Sequence, residues 1–208
     1  MIDFDARQTM NYQPELILAS QSPRRHDLLV QYGYSFRVVV PSEGAECGIC
    51  SRETPSELVA RLAFQKGKDV ALRSDAGMIL ACDTVAECEG QILGKPKNRN
   101  HAQQMLKLMQ GQEHRVLSGV CLWQRPENLA LVEVEVSRLK MDAIDDEQLE
   151  DYLDTDAWEG KAGAFGFQDG LDWVHLLEGS ASNVVGLPME RLADMLKRFH
   201  RDAVAQTV

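Results

Sequence analysis

Apolar positions follow two rhythms along this chain. Over residues 16–19, 36–40 and 78–82 they form short, nearly unbroken runs bounded by turn residues, the pattern of strands buried on both faces. Elsewhere the period lengthens to three and four. Pro23–Gln31 reads as a helix that stops at Gly33, with Ser22 as its cap. Thr54-Pro55-Ser56-Glu57 joins a capping box to a proline at the first helical position, and opens a helix running to about Leu72. Asn100 and Gln103 mark a helix start ended by Gly111, Asp145 caps a helix through Leu149, Tyr152 and Leu153, and Pro188 opens a last amphipathic one through Leu192, Met195, Leu196 and Phe199. Residues 115–123 and 129–139 read as a long hairpin, in which Val132, Val134 and Val136 alternate with Glu133 and Glu135. Residues 84–88 continue extended, Glu89-Gly90 turns into a strand at 91–93, and 173–177 is a further strand. Residues 41–52 form a loop, and Gly160, Gly163, Gly166 and Gly170 make a second, glycine-rich one. Helix–strand units mixed with an antiparallel hairpin predict an α/β fold with a mixed sheet.

At 208 residues this is one domain of two lobes, or two small ones. Residues 1–14 and 201–208 read as a loose extension and tail around a domain spanning 15–200. The net charge of −10 repels nucleic-acid backbones and anionic membranes, so neither is expected as a partner. The first fifteen residues carry Asp3, Asp5 and Glu15 and have no apolar centre, unlike a signal or transit peptide. No apolar run approaches membrane-spanning length, and a cytoplasmic location is expected. Five cysteines, an odd number, argue for free thiols in a reducing compartment. Cys47 and Cys50 have CxxC spacing but no second pair to complete a zinc site.

Against that acidic background, a few charges fall in telling places. Ser22-Pro23-Arg24-Arg25 follows an apolar run and opens a helix, so first-turn amides and two guanidinium forks face whatever lies past the strand. Asp83 directly follows the apolar run ending at Cys82, where ligands of open α/β sheets bind; the expectation is a carboxylate at a strand end. On the helix from Pro55, Lys66 falls on the apolar stripe with Val59 and Leu62, and it must either snorkel or reach an anion. Gly94-Lys95-Pro96 holds a second lysine between a flexible and a rigid residue. Glu46 in the first loop is placed to approach a metal, and Gln168 in the glycine-rich loop to read a base edge. That loop fits neither the GxGxxG nor the GxxxxGKS/T pattern. Each residue alone has an ordinary structural reading. Together, cations for oxygens and carboxylates for Mg²⁺ are the inventory for a metal-bound polyphosphate.

From Leu16 to about Leu196 the chain resembles the Maf family of nucleoside triphosphate pyrophosphatases. The landmarks are residues 18–25 (LASQSPRR), Cys82-Asp83-Thr84-Val85, Gly94-Lys95-Pro96, residues 161–168 (KAGAFGFQ) and 182–188 (SNVVGLP). The resemblance implies a two-lobed, inosine-triphosphatase-like α/β fold with a central cleft, and a reaction that splits a nucleotide between its α and β phosphates with Mg²⁺ or Mn²⁺. Matched position by position, Asp83 falls on the proton-accepting acid. Arg24, Thr84 and Gln168 fall on positions tied to substrate choice, and Ser20, Arg25, Glu46, Lys66 and Lys95 on other active-site positions. The pattern looks like the branch acting on dTTP and UTP. The alternatives are the branch acting on 7-methyl-GTP, and a nucleotide-binding regulator of cell division without significant turnover. A homodimer is implied by the resemblance only. The loop at Ala45-Glu46-Cys47 departs from the family's usual Asp-Glu, which bears on metal affinity.

Overall fold

The computed structural model describes residues 15–46 and 52–205, and side chains only as far as Phe199. The expected N-terminal extension and the Cys47/Cys50 pair lie outside the described residues. The sheet begins with β1 (Leu16–Ala19), every residue of it buried. It pairs in parallel with β2 (Phe36–Val38) on one side and β3 (Gly77–Cys88) on the other. The two antiparallel arms β5 (Glu113–Arg125) and β6 (Leu129–Met141) follow, longer than the hairpin read from the sequence. The path β2-β1-β3-β5-β6-β7 ends on β7 (Val174–Glu178), and β4 (Gln91–Leu93) pairs the far end of β3. The mixed α/β sheet expected from the sequence is therefore present.

Two of its dimensions create the site. β1 stops at Ala19, paired with Ala81, while β3 stays paired with β5 as far as Glu87. The sheet thus narrows abruptly, and a gap opens past the end of β1. On one side of this gap the core packs β1 and the first half of β3 against α1 (Pro23–Gln31) and α6 (Met189–Ala205). On the other, the far halves of β3, β5 and β6 pack against α3 (Arg99–Met109) and α4 (Asp146–Asp154). These are the two lobes.

Helix α2 (Pro55–Ala71) crosses β3 and β5 on the face opposite α6, starting from the predicted capping box of Thr54 and Glu57. Its apolar stripe, including Leu58, Val59 and Ala63, is buried, Leu58 and Val59 each contributing roughly 1.5–3 kcal/mol. The helix lies unusually close to the sheet because Gly119 on β5 has no side chain. A Cβ there would collide with the Val59 carbonyl and stand 2.8 Å from the Ala60 nitrogen. This low seating decides where the next turns of α2 point.

Several local expectations need correction. Ser22 holds the N-cap position of α1, but its side chain makes no capping bond; its N–H donates to Ser20 Oγ at 3.1 Å. Asn98, not Asn100, caps α3, its side chain accepting from the His101 N–H. A short helix α5 (Ala181–Val185), capped by Ser180, was not foreseen. α6 continues past Arg201, where the tail was expected to begin. Among the described residues no helix is long and apolar enough to cross a membrane.

Candidate active site

A cleft of about 930 Å³ occupies the gap past β1 and draws its walls from both lobes. Asp83 stands on its floor. It lies inside β3, opposite Gly119, and not at the strand end the sequence suggested; the end that exposes it is that of β1. Successive strand residues face opposite ways, so Asp83 and Thr84 divide the site between the two faces of the sheet.

Asp83 faces α2. There the Lys66 ammonium donates to Asp83 Oδ1 at 2.5 Å and lies 3.0 Å from Glu46 Oε1. The Lys66 side chain is only 9% exposed, so of the two options open in the sequence the lysine reaches an anion. One buried cation thus gathers carboxylates from β3 and from the end of a 3-10 turn at Glu43–Ala45. Removing one partner of such a pair typically costs about 3–5 kcal/mol, because the other is left buried and charged. Among the described residues only Oδ1 of Asp83 is engaged. No group of three or more His, Cys, Asp or Glu side chains suited to a metal occurs among the described residues. The pair Asp83 and Glu46 nevertheless suits Mg²⁺ or Mn²⁺, hard cations that take one or two carboxylates and complete their shell with phosphate and water oxygens.

Thr84 faces the other way. Its hydroxyl is within 2.8 Å of Ser118 Oγ, accepts from Arg25 Nη2 at 3.2 Å and lies 3.3 Å from the Gly186 carbonyl. Arg25 also donates to that carbonyl at 2.8 Å and to Ser20 Oγ at 3.3 Å. Its guanidinium therefore ties together the end of β1, β3 and the C-cap of α5. Gly186 has φ +126°, in the region that favours glycine, and this turns its carbonyl toward Arg25 and Thr84.

The remaining cations line the cleft. Arg24 reaches across it to the Gly160 carbonyl at 2.8 Å. Burial lowers its pKa, Arg25 lowers it further, and Asp169 partly offsets both. Lys95 is lowered likewise by burial and by Arg25 and Lys66, against the pull of Glu46 and Asp83. Within a chain of net charge −10, the cleft sets five cations, Arg24, Arg25, Lys66, Lys95 and Lys161, among four carboxylates, and a polyanion would relieve the mutual repulsion of Arg24, Arg25 and Lys95. The far wall is the glycine-rich loop. It carries Phe165 and Gln168, and its Gly163 N–H donates to the Gly94 carbonyl at 3.1 Å, tying the loop to the Lys95 turn. All the candidate residues named from the sequence, Ser20, Arg24, Arg25, Glu46, Lys66, Asp83, Thr84, Lys95 and Gln168, line this one cleft.

The family model for Maf-like protein matches residues 15–199. The chain belongs to the Maf family. This Maf chain is 56% identical over 189 residues to a dTTP/UTP pyrophosphatase of Rhodopirellula baltica, covering 90% of this chain and 83% of that protein. It is 37% identical to a dTTP/UTP pyrophosphatase of Ruminiclostridium cellulolyticum, over 91% and 98% of the two chains. It is 38% identical to one of Clostridioides difficile, over 88% and 94%. A HAM1 protein from Coxiella burnetii superposes with a TM-score of 0.42 at 14% identity over 62% of this chain and 73% of that one, too distant a likeness to bear on the site.

Sequence reasoning missed several residues that brace the Maf cleft. Ser118 and the Gly186 carbonyl anchor Thr84 and Arg25, but a serine inside a strand and a backbone oxygen carry no sequence signal. Lys161 and Asp169 pair across the glycine-rich loop; opposite charges eight residues apart there were the available clue.

Proposed function

We propose that this chain hydrolyses dTTP and UTP between the α and β phosphates, releasing the monophosphate and pyrophosphate. The observation that carries the reading is the convergence of Asp83 and Glu46 on the buried Lys66, in a cleft rimmed by Arg24 and Lys95. The names of the relatives supply the substrates.

In this reading Asp83 and Glu46 would hold Mg²⁺ or Mn²⁺. When bound, the ion offsets phosphate charge and makes its water more acidic. The Asp83 carboxylate takes the proton of the water that attacks the α-phosphorus, and the α–β bond breaks with pyrophosphate leaving. Lys66, bonded to Asp83 Oδ1, holds its carboxylate aimed at the cleft. Arg24, Arg25 and Lys95 neutralise charge on the phosphate oxygens and the departing pyrophosphate, already placed before reaction. Thr84 and Gln168 contact the base. A pyrimidine offers few hydrogen-bonding groups, so an amide that the bound base covers is satisfied only by a base that pairs with it, and other bases are rejected.

The test is pyrophosphate release with Mg²⁺ or Mn²⁺ across dTTP, UTP, CTP, GTP, ATP and 7-methyl-GTP. Turnover selective for dTTP and UTP is expected, with kcat lower by roughly 10²–10⁴-fold in Asp83→Asn. Near-normal turnover in that variant would overturn the base assignment. Binding of dTTP with no pyrophosphate release from the native protein would favour the regulator.

A further inference from the structure

The glycine-rich loop is built around a contact that the reaction itself does not use. Lys161 Nζ donates to Asp169 Oδ2, closing a loop eight residues long; their side chains are only 12% and 28% exposed. The loop is folded to admit this pair. Gly166 lies at its centre, and a Cβ there would collide with both the Asp169 carboxylate and the Lys161 ammonium. Asp169 N–H donates to the Gly166 carbonyl at 3.0 Å, closing the 3-10 turn Phe167–Asp169. Gln168 is the middle residue of that turn, directly joined to Asp169. The other end of the loop is held independently: the Tyr152 hydroxyl donates to the Ala164 carbonyl at 3.3 Å, and Phe165 packs edge-on against His114 at 5.3 Å. The backbone at Gln168 is therefore fixed on its C-terminal side by the ion pair, in a segment where Gly166 and Gly170 would otherwise leave it free.

We infer that the Lys161–Asp169 pair is a latch that positions Gln168, and that through Gln168 it sets the discrimination between bases. The inference rests on the reading of Gln168 as base-contacting. Asp169 is a positioning residue in this scheme. A side-chain amide rejects a mismatched base only if it cannot turn to satisfy itself elsewhere. Opening the latch gives Gln168 that freedom while leaving the phosphate-binding cations in place.

The readout is the ratio of kcat/KM for dTTP to that for CTP, in the native protein, Asp169→Asn, Lys161→Gln, Gln168→Ala and the double variant Asp169→Asn/Gln168→Ala. Asp169→Asn and Lys161→Gln are expected to lower the ratio roughly tenfold, with kcat on dTTP changed much less. The double variant is expected to match Gln168→Ala alone, because two residues acting through one group are not additive. Asp169 also lies near Arg24, and the double variant separates the two routes, because an effect through Arg24 would add to that of Gln168→Ala. Unchanged ratios in Asp169→Asn and Lys161→Gln, with an altered ratio in Gln168→Ala, overturn the latch and keep the base reading. An unchanged ratio in Gln168→Ala overturns the base reading and the latch with it. A double variant worse than Gln168→Ala by the full Asp169→Asn factor shows that the pair acts elsewhere, and also overturns it.

Discussion

His114 makes this fold sensitive to acid, and the size of the effect follows from its surroundings. It lies on β5 with 2% of its surface exposed, packed edge-on against Phe165. Burial lowers its pKa from 6.5 to about 4, and the opposing contributions from the Gln112 backbone and Glu87 are smaller. Above pH 6.5 the imidazole is neutral in both the folded and unfolded chains, and it adds no pH dependence. As pH falls from 6.5 toward 4, the unfolded chain takes up a proton that the folded one refuses, so stability is lost over this window. At about 1.4 kcal/mol per pH unit the loss from this one group reaches roughly 3 kcal/mol by pH 4. Carboxylates titrate in the same range, so the measurement is a difference. Urea unfolding of the native protein and of His114→Leu is followed from pH 7.5 to pH 4. The variant's stability, relative to native, is expected to rise by about 3 kcal/mol across that range, as most of the native loss is absent from it. Parallel stability curves, or an imidazole resonance of His114 that titrates near 6.5, would refute the argument.

Gly119→Ala is expected to lift α2 from the sheet, costing about 1–3 kcal/mol in overpacking and lowering kcat on dTTP as Lys66 is drawn away from Asp83; native urea stability together with native turnover would refute the close approach. Lys95 carries its charge into the cleft with a pKa below the ordinary 10.5, lowered first by burial and then by Arg25 and Lys66. The charged form is the one that binds phosphate and it is lost as pH rises, so the alkaline limb of kcat/KM is expected below 10.5 and should move upward in Lys95→Arg; an unmoved limb would assign it to another group.

What the sequence disclosed and what it hid have separate physical causes. Lys66 was legible because helical phase is a local property: a lysine on an apolar stripe has few ways to avoid a buried anion. The capping box at Thr54 and the cap at Asp145 were legible for the same reason, each being complete within four residues. Asp83 was legible as chemistry but misplaced in its strand. Strand length depends on neighbours, and β5 carries β3 past the point where β1 lets go. The side-chain cap expected of Ser22 is absent; what ties this residue is its backbone N–H, bonded to Ser20 Oγ, which propensity does not register. Helix α5 was hidden because five residues are too few to show a period.

The least legible feature is the coupling between phosphate side and base side, since it is made of single bonds between segments far apart in the chain. Arg24 donates to the Gly160 carbonyl, and the Gly163 N–H donates to the Gly94 carbonyl beside Lys95. The loop that bears Gln168 is therefore hung from the two segments that carry Arg24 and Lys95 into the cleft. A triphosphate that draws Arg24 away from Gly160 releases one anchor of that loop. The Lys161–Asp169 pair, internal to the loop, does not depend on that anchor. On the proposed function, phosphate capture then rearranges the cleft wall without loosening Gln168, and charge recognition, common to all nucleotides, stays apart from the selection of one base.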